Sequence, residues 1–141
     1  MSHLIESRVE IDYLTENDFC PFFYPEFEIL PALRKAYLKE LFRANTQRNN
    51  VKFYRWVWRH YPLEHKCEEC FRPLYEYSAT FVSHIITKAN APHIAYEPMN
   101  TNLLCGQCHH NWDGRKETRE KMRIFPSNQL RIEWLLSIYG R

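Results

Sequence analysis

No apolar run in this chain approaches the roughly 20 residues of a membrane-spanning helix, so no membrane span is expected. The opening residues, Met1-Ser2-His3-Leu4-Ile5-Glu6, lack the basic and apolar regions of a secretory signal, and a cytoplasmic protein is the expectation. No internal repeat and no low-complexity tract is found, which sets aside repeat architectures. Glycine is scarce, at three residues. What is present is a chain with 45% hydrophobic and 16% aromatic residues, too apolar to be disordered. Its 141 residues suit one domain around one core.

In a reducing compartment the five cysteines read as metal ligands rather than disulfides. Four of them form two knuckles, Cys67-Glu68-Glu69-Cys70 and Cys105-Gly106-Gln107-Cys108, with 34 residues between them. Each knuckle wraps two sulfurs around one side of an ion, and the pair suits one tetrahedral zinc. Four thiolates leave no open position, so this zinc is expected to be structural. Cys20 is left over and reads as a small, semi-buried hydrophobe.

The formal net charge of +2 hides an uneven distribution. Residues 1–30 carry one base and seven acids, residues 31–66 nine bases and two acids, and residues 67–141 nine and eight. A basic middle segment suits a polyanionic partner. Four stretches follow: an acidic, aromatic arm (1–30), a basic helical segment (31–66), a core with the knuckles (67–113) and a C-terminal helical extension (114–141). The arm shows no clear period and reads as irregular. Its acids read as a solvated face, with screening of the basic segment as the sharper alternative.

Pro31 to about Gln47 reads as a helix with Leu33, Tyr37, Leu41 and Ala44 in an apolar stripe. Lys35, Lys39 and Arg43 form a column on another face. Arg48-Asn49-Asn50 reads as a turn. A second helix then runs from Lys52 to about Tyr61, with Phe53, Trp56 and Val57 inward and Lys52, Arg55 and Arg59 together, stopped by Pro62. The β-branched and aromatic residues from Ala79 to Ile86 predict a strand, with Val82, His84 and Ile86 on one side and Phe81, Ser83 and Ile85 on the other. Residues 87–98 read as a loop and 100–104 as a short return segment. A helix is expected from near Gly106 through Trp112, a further helical stretch over 116–122, and a last helix over 128–139 capped by Ser127. Leu130, Ile132, Trp134, Leu135 and Ile138 are its expected apolar contacts.

Cys-x-x-Cys, a strand carrying Ser83-His84-Ile85-Ile86, Asn100, and Leu-Cys-x-x-Cys-His in that order resembles the HNH endonucleases, the zinc-knuckle branch of the His-Me finger (ββα-metal) nucleases. The likeness covers about residues 67–113, and His84, Asn100 and His109 are the matching positions. The loop ending in an aromatic-acid-Pro step before Asn100 also looks like phage recombination-accessory nucleases of that group. The resemblance implies an α+β fold with a small His-Me finger core and a four-cysteine zinc knuckle, flanked by N-terminal helices and a C-terminal helix. It implies a metal-dependent DNA endonuclease leaving 5′-phosphate and 3′-hydroxyl ends, with duplex or branched DNA as partner and no organic cofactor. Small size and the lack of a reader element point, by analogy, to a nickase or structure-selective enzyme of a phage or mobile element.

The residue chemistry stands beside that likeness. A neutral imidazole can take a proton from water near pH 7, and His84 is the candidate general base. By the resemblance, His109 holds the catalytic Mg²⁺ or Mn²⁺, while Asn100 ties the loop to the histidine strand. Many members of the group carry Asp or His just before the base histidine as a second ligand. Here that place holds Ser83, a poor ligand for a hard cation. Asp113 follows His109 by four residues, so both project from one face of a helix, and Asp113 is the candidate second ligand. His110 and His93 are further candidates that read more simply as an exposed helix residue and a loop residue. Arg115, Lys116, Arg119, Lys121 and Arg123 follow the motif and, with Lys35, Lys39, Arg43, Arg55 and Arg59, are candidate phosphate contacts. Ser83 also supports a rival expectation, a non-catalytic zinc-knuckle module that binds nucleic acid or protein.

Overall fold

The first helix starts where a local signal fixes it. Ser7 accepts from the backbone N–H of Glu10, and the Glu10 carboxylate accepts from the Ser7 N–H, a reciprocal capping box that opens α1 (Arg8–Glu16). The computed structural model describes residues 3–17, 19–24, 26–42 and 46–140. Their contacts gather into two units, residues 1–63 and residues 64–141, where length alone pointed to one domain. Both helix and small sheets are present, an α+β composition.

In the first unit the expected irregular arm is ordered. A short strand β1 (His3–Ile5) pairs in parallel with β2 (Phe27–Ile29), and Ile5 and Ile29 are buried. A 3-10 turn at Pro21–Phe23 lies between α1 and β2. Then α2 (Pro31–Leu41) begins with proline in its first turn, as expected. Tyr37 and Leu38 are its buried apolar residues, and Phe42 behind it is buried too. Arg34 is buried as well: its guanidinium donates to the Phe22 carbonyl at 2.9 Å and lies over the Phe22 ring. Helix α3 (Thr46–His60) takes in the stretch 48–50 that reads as a turn. The pull of an Asn-Asn pair toward a turn yields to the apolar face of the same helix, where Phe53 and Val57 are fully buried. Arg43 and Ala44 lie outside the described residues.

The second unit is built on an antiparallel pair, β3 (Val82–His84) and β4 (Thr101–Leu103), in the register Val82↔Leu103, Ser83↔Asn102 and His84↔Thr101. The strand expected over 79–86 is shorter, because residues 79–81 form a 3-10 turn whose entry is held by Ser78 accepting from Thr80 N–H. After β4 come α4 (Gly106–Asp113), ended at Gly114, then α5 (Lys116–Glu120) and α6 (Phe125–Tyr139). Ser127 does not cap α6. It sits inside the first turn and donates to the Ile124 carbonyl, while Pro126 occupies the start. Of the contacts expected from α6, Leu135 is fully buried and packs with Ala91, Ile94 and Met99, whereas Leu130 is exposed.

Polar groups lock α6 to the hairpin. Asn102 and Asn128, both buried, exchange amide hydrogen bonds at 2.7 and 3.1 Å. Arg131 donates to the Thr101 carbonyl at 2.8 Å. Tyr139 donates to the buried Glu97, whose other oxygen accepts from Met99 N–H. Among the described residues no helix is long and apolar enough to cross a membrane.

Candidate metal centre and histidine site

The two knuckles meet. The Sγ atoms of Cys67, Cys70, Cys105 and Cys108 all lie within 4.8 Å of one another, and those of Cys70 and Cys105 are 3.8 Å apart. A tetrahedral zinc with sulfurs at about 2.3 Å sets sulfur–sulfur edges of about 3.8 Å, so the cluster can hold a metal ion such as zinc. Local backbone makes the first knuckle: Cys67 N–H donates to the Arg72 carbonyl and Phe71 N–H to the Cys67 carbonyl, each at 2.9 Å. Phe71 takes a positive φ of +64° to close this turn, a place where glycine is cheapest. The second knuckle is the start of α4, with Cys105 before it and Cys108 within its first turn. Burial pushes the Cys67 and Cys108 thiols up. In Cys105 burial acts the same way, but the Cys108 N–H and the neighbouring thiols outweigh it and bring the thiol down to about 7. A metal ion would displace the protons that remain.

The glutamates inside the first knuckle are anchors that the spacing did not reveal. Glu68 accepts from Leu103 N–H and from the Asn102 amide, which pins the knuckle to β4. Glu69 accepts from the N–H groups of Arg123 and Ile124, where the chain enters α6. A carboxylate suits the positive end of a helix.

His84 ends β3 and Asn100 stands just before β4, so the hairpin sets them side by side. Asn100 is fully buried. Its Oδ1 accepts from Ile86 N–H at 2.8 Å and its Nδ2 donates to the Ile86 carbonyl at 3.0 Å, tying the 87–98 loop closed beside the histidine strand. That loop passes its Ala95 carbonyl to His84, whose Nε2 lies 2.8 Å away. A carbonyl only accepts, so Nε2 carries the proton in the neutral ring and Nδ1 carries the lone pair. Burial lowers the His84 pKa first, outweighing the Ala95 carbonyl, and the charges of Lys88 and His109 lower it further. The neutral, basic form is therefore favoured.

His109 lies on α4 one residue after Cys108. Its Nδ1 donates to the Thr80 carbonyl, which fixes the ring and leaves Nε2 as the lone-pair nitrogen of the neutral form. Nε2 faces the Asp113 Oδ2 at 3.0 Å, one helical turn on. Two acceptors so placed need a cation between or beside them. A proton meets that need as an imidazolium–carboxylate pair. A divalent ion meets it too, because two neighbouring ligands of an octahedral ion at about 2.1 Å stand about 3.0 Å apart. Both His109 and Asp113 act electrostatically on His84, so the helix pair and the strand histidine share one region.

Ser83 is fully buried, and among the described residues its Oγ has no hydrogen-bond partner. It does not join the His109–Asp113 pair. His110 is exposed, and His93 is exposed with Nε2 3.3 Å from the Gly140 carbonyl. Cys20 is buried among the apolar residues of the first unit. Of the candidate phosphate contacts, Lys35, Lys39, Arg55, Arg59, Arg115 and Lys116 are exposed, Lys116 with Glu120 at 3.7 Å. Arg119 is turned inward, donating to the Trp112 and Gly114 carbonyls at the end of α4 and lying over the Trp112 ring. Arg123 is also committed, donating to the Glu68 carbonyl and stacking on Phe71. In comparisons with known proteins, no family model, curated protein or solved structure matches the chain.

Proposed function

We propose that the chain is a metal-dependent DNA endonuclease of the His-Me finger type, with the strands, loop and helix of residues 82–113 as its catalytic core. One observation carries the reading: a sulfur cluster clips the 67–70 turn to the start of α4, the helix whose His109 lies in one region with His84 of the hairpin, with Asp113 3.0 Å from the His109 ring. Zinc in the cysteine cluster would hold the knuckles together and take no part in the chemistry. His84 Nδ1 would accept the proton of an attacking water, and the Ala95 carbonyl would hold the ring through that transfer. His109 Nε2 and Asp113 Oδ2 would be the protein ligands of a catalytic Mg²⁺ or Mn²⁺. When bound there, such an ion supplies positive charge to the non-bridging and leaving oxygens of a phosphodiester. Asn100 would keep the loop from drifting away from His84. Exposed Arg115 and Lys116, next to α4, would contact the DNA backbone.

The second reading is a non-catalytic zinc module that binds nucleic acid or protein, and Ser83 is the observation that favours it, since its buried hydroxyl supplies no ligand to the pair. A supercoiled-plasmid assay separates the two. Wild-type protein is expected to nick with Mg²⁺ or Mn²⁺, and His84→Ala is expected to bind the plasmid without cutting. No cutting by the wild type with either ion, alongside intact binding, would establish the module instead.

A further inference from the structure

The first unit holds a cleft of about 510 Å³, within the roughly 300–1,000 Å³ of small-ligand sites. Aromatic rings from two places line it. Phe19 and Tyr24 come from the segment around Cys20 and are stacked at 5.0 Å with their planes 14° apart. Trp56 and His60 come from the end of α3, with ring centres 4.5 Å apart, and Tyr61 follows them. All five are only partly buried. Arg59 also lines the cleft, and it is the last member of the exposed column Lys52, Arg55 and Arg59 on α3. A backbone following that column would be led to the mouth of an aromatic cleft.

We infer that this cleft takes an unstacked base of a single-stranded or branched DNA, with the α3 column holding the adjoining phosphates. Rings paired beforehand offer π-faces that any base can stack on, and a basic track beside them is the arrangement that single strands require. Glu16 on the same wall can accept from an exocyclic amino group of the base. Rings with Glu16 alone would suit an alkylammonium ligand, but Arg59 puts positive charge where such a ligand would sit. The inference deepens the nuclease proposal, on whose DNA-binding half it rests, by naming a substrate with unpaired bases.

The test is fluorescence anisotropy with the whole His84→Ala chain loaded with zinc, so that the probe is not cut. The probes are a forked duplex with one single-stranded arm, the same fork with that arm made abasic, and a blunt duplex of equal length. Base–aromatic stacking predicts that the abasic arm binds about 5- to 160-fold more weakly than the normal arm. Adding Tyr61→Ala or Trp56→Phe, each checked for native circular dichroism, is expected to shrink that difference while leaving blunt-duplex binding unchanged. Equal binding of normal and abasic forks would overturn the assignment of the cleft and leave the nuclease reading in place. So would a difference that survives both substitutions. Binding of none of the three probes would sink the DNA reading itself and this inference with it.

Discussion

Replacing His84 with alanine removes the one strand imidazole whose ring is fixed by the loop carbonyl of Ala95. Under the proposed role of His84 as general base, kcat is expected to fall by about 10²–10⁴ with DNA affinity kept. Burial lowers this histidine's pKa, so the acid limb of a pH profile for kcat/KM should lie below the ordinary imidazole value of about 6.5. Stability follows the same sign. The unfolded chain takes up the proton first as pH falls, so the contribution of neutral His84 is complete above about pH 6.5 and is lost below it, down through the folded value. Ser83 gives a separate test at this scale. Its hydroxyl is buried without a partner, and Ser83→Ala should be neutral or stabilising by about 1 kcal/mol in urea unfolding. A loss of more than about 1 kcal/mol would show that the hydroxyl has a structural role.

At the scale of elements, the loop between the two hairpin strands depends on Asn100. Asn100→Ala leaves the partly buried Ile86 N–H and carbonyl without their side-chain partner. A cost of about 2–4 kcal/mol is expected in denaturant unfolding, and in the surviving folded protein kcat should drop more than KM rises. The Ser7 cap of α1 is a second element-scale case: Ser7→Ala should cost about 1 kcal/mol. The start signal of that helix, Ser7 with Glu10 three residues on, stands in the sequence, but the prolines and clustered aromatics behind it obscure the period. The knuckles, the Gly106 helix start and the His109–Asp113 pairing are readable because short-range spacing alone sets them. Composition overstates the strand over 79–86. Its residues suit a strand throughout, yet the chain turns at 79–81, and that turn presents the Thr80 carbonyl to His109. The roles of Glu68 and Glu69 are not readable, because their partners lie 34 to 55 positions away. Nor is the inward turn of Arg119 and Arg123, which depends on where α4 ends and how the knuckle folds.

For the whole molecule, the cysteine cluster is where distant parts of residues 64–141 are joined. Chelation, or Cys105→Ser, is expected to raise amide hydrogen exchange in β3, β4 and α4, because four thiols without a metal lose the link that replaces a larger core. Unchanged exchange would mean that the apolar cluster around Leu135 and Met99 holds this unit unaided. The proposed cleavage requires the strand histidine and the helix pair to converge upon a cation and a phosphate. Anomalous diffraction from crystals of the His84→Ala protein grown with Mn²⁺ and a short DNA duplex tests it most directly. The expected result is a manganese peak bonded to His109 Nε2 and Asp113 Oδ2, with a backbone phosphate between it and position 84. A peak elsewhere, or DNA bound on a different face with that pair closed on itself, would contradict the account.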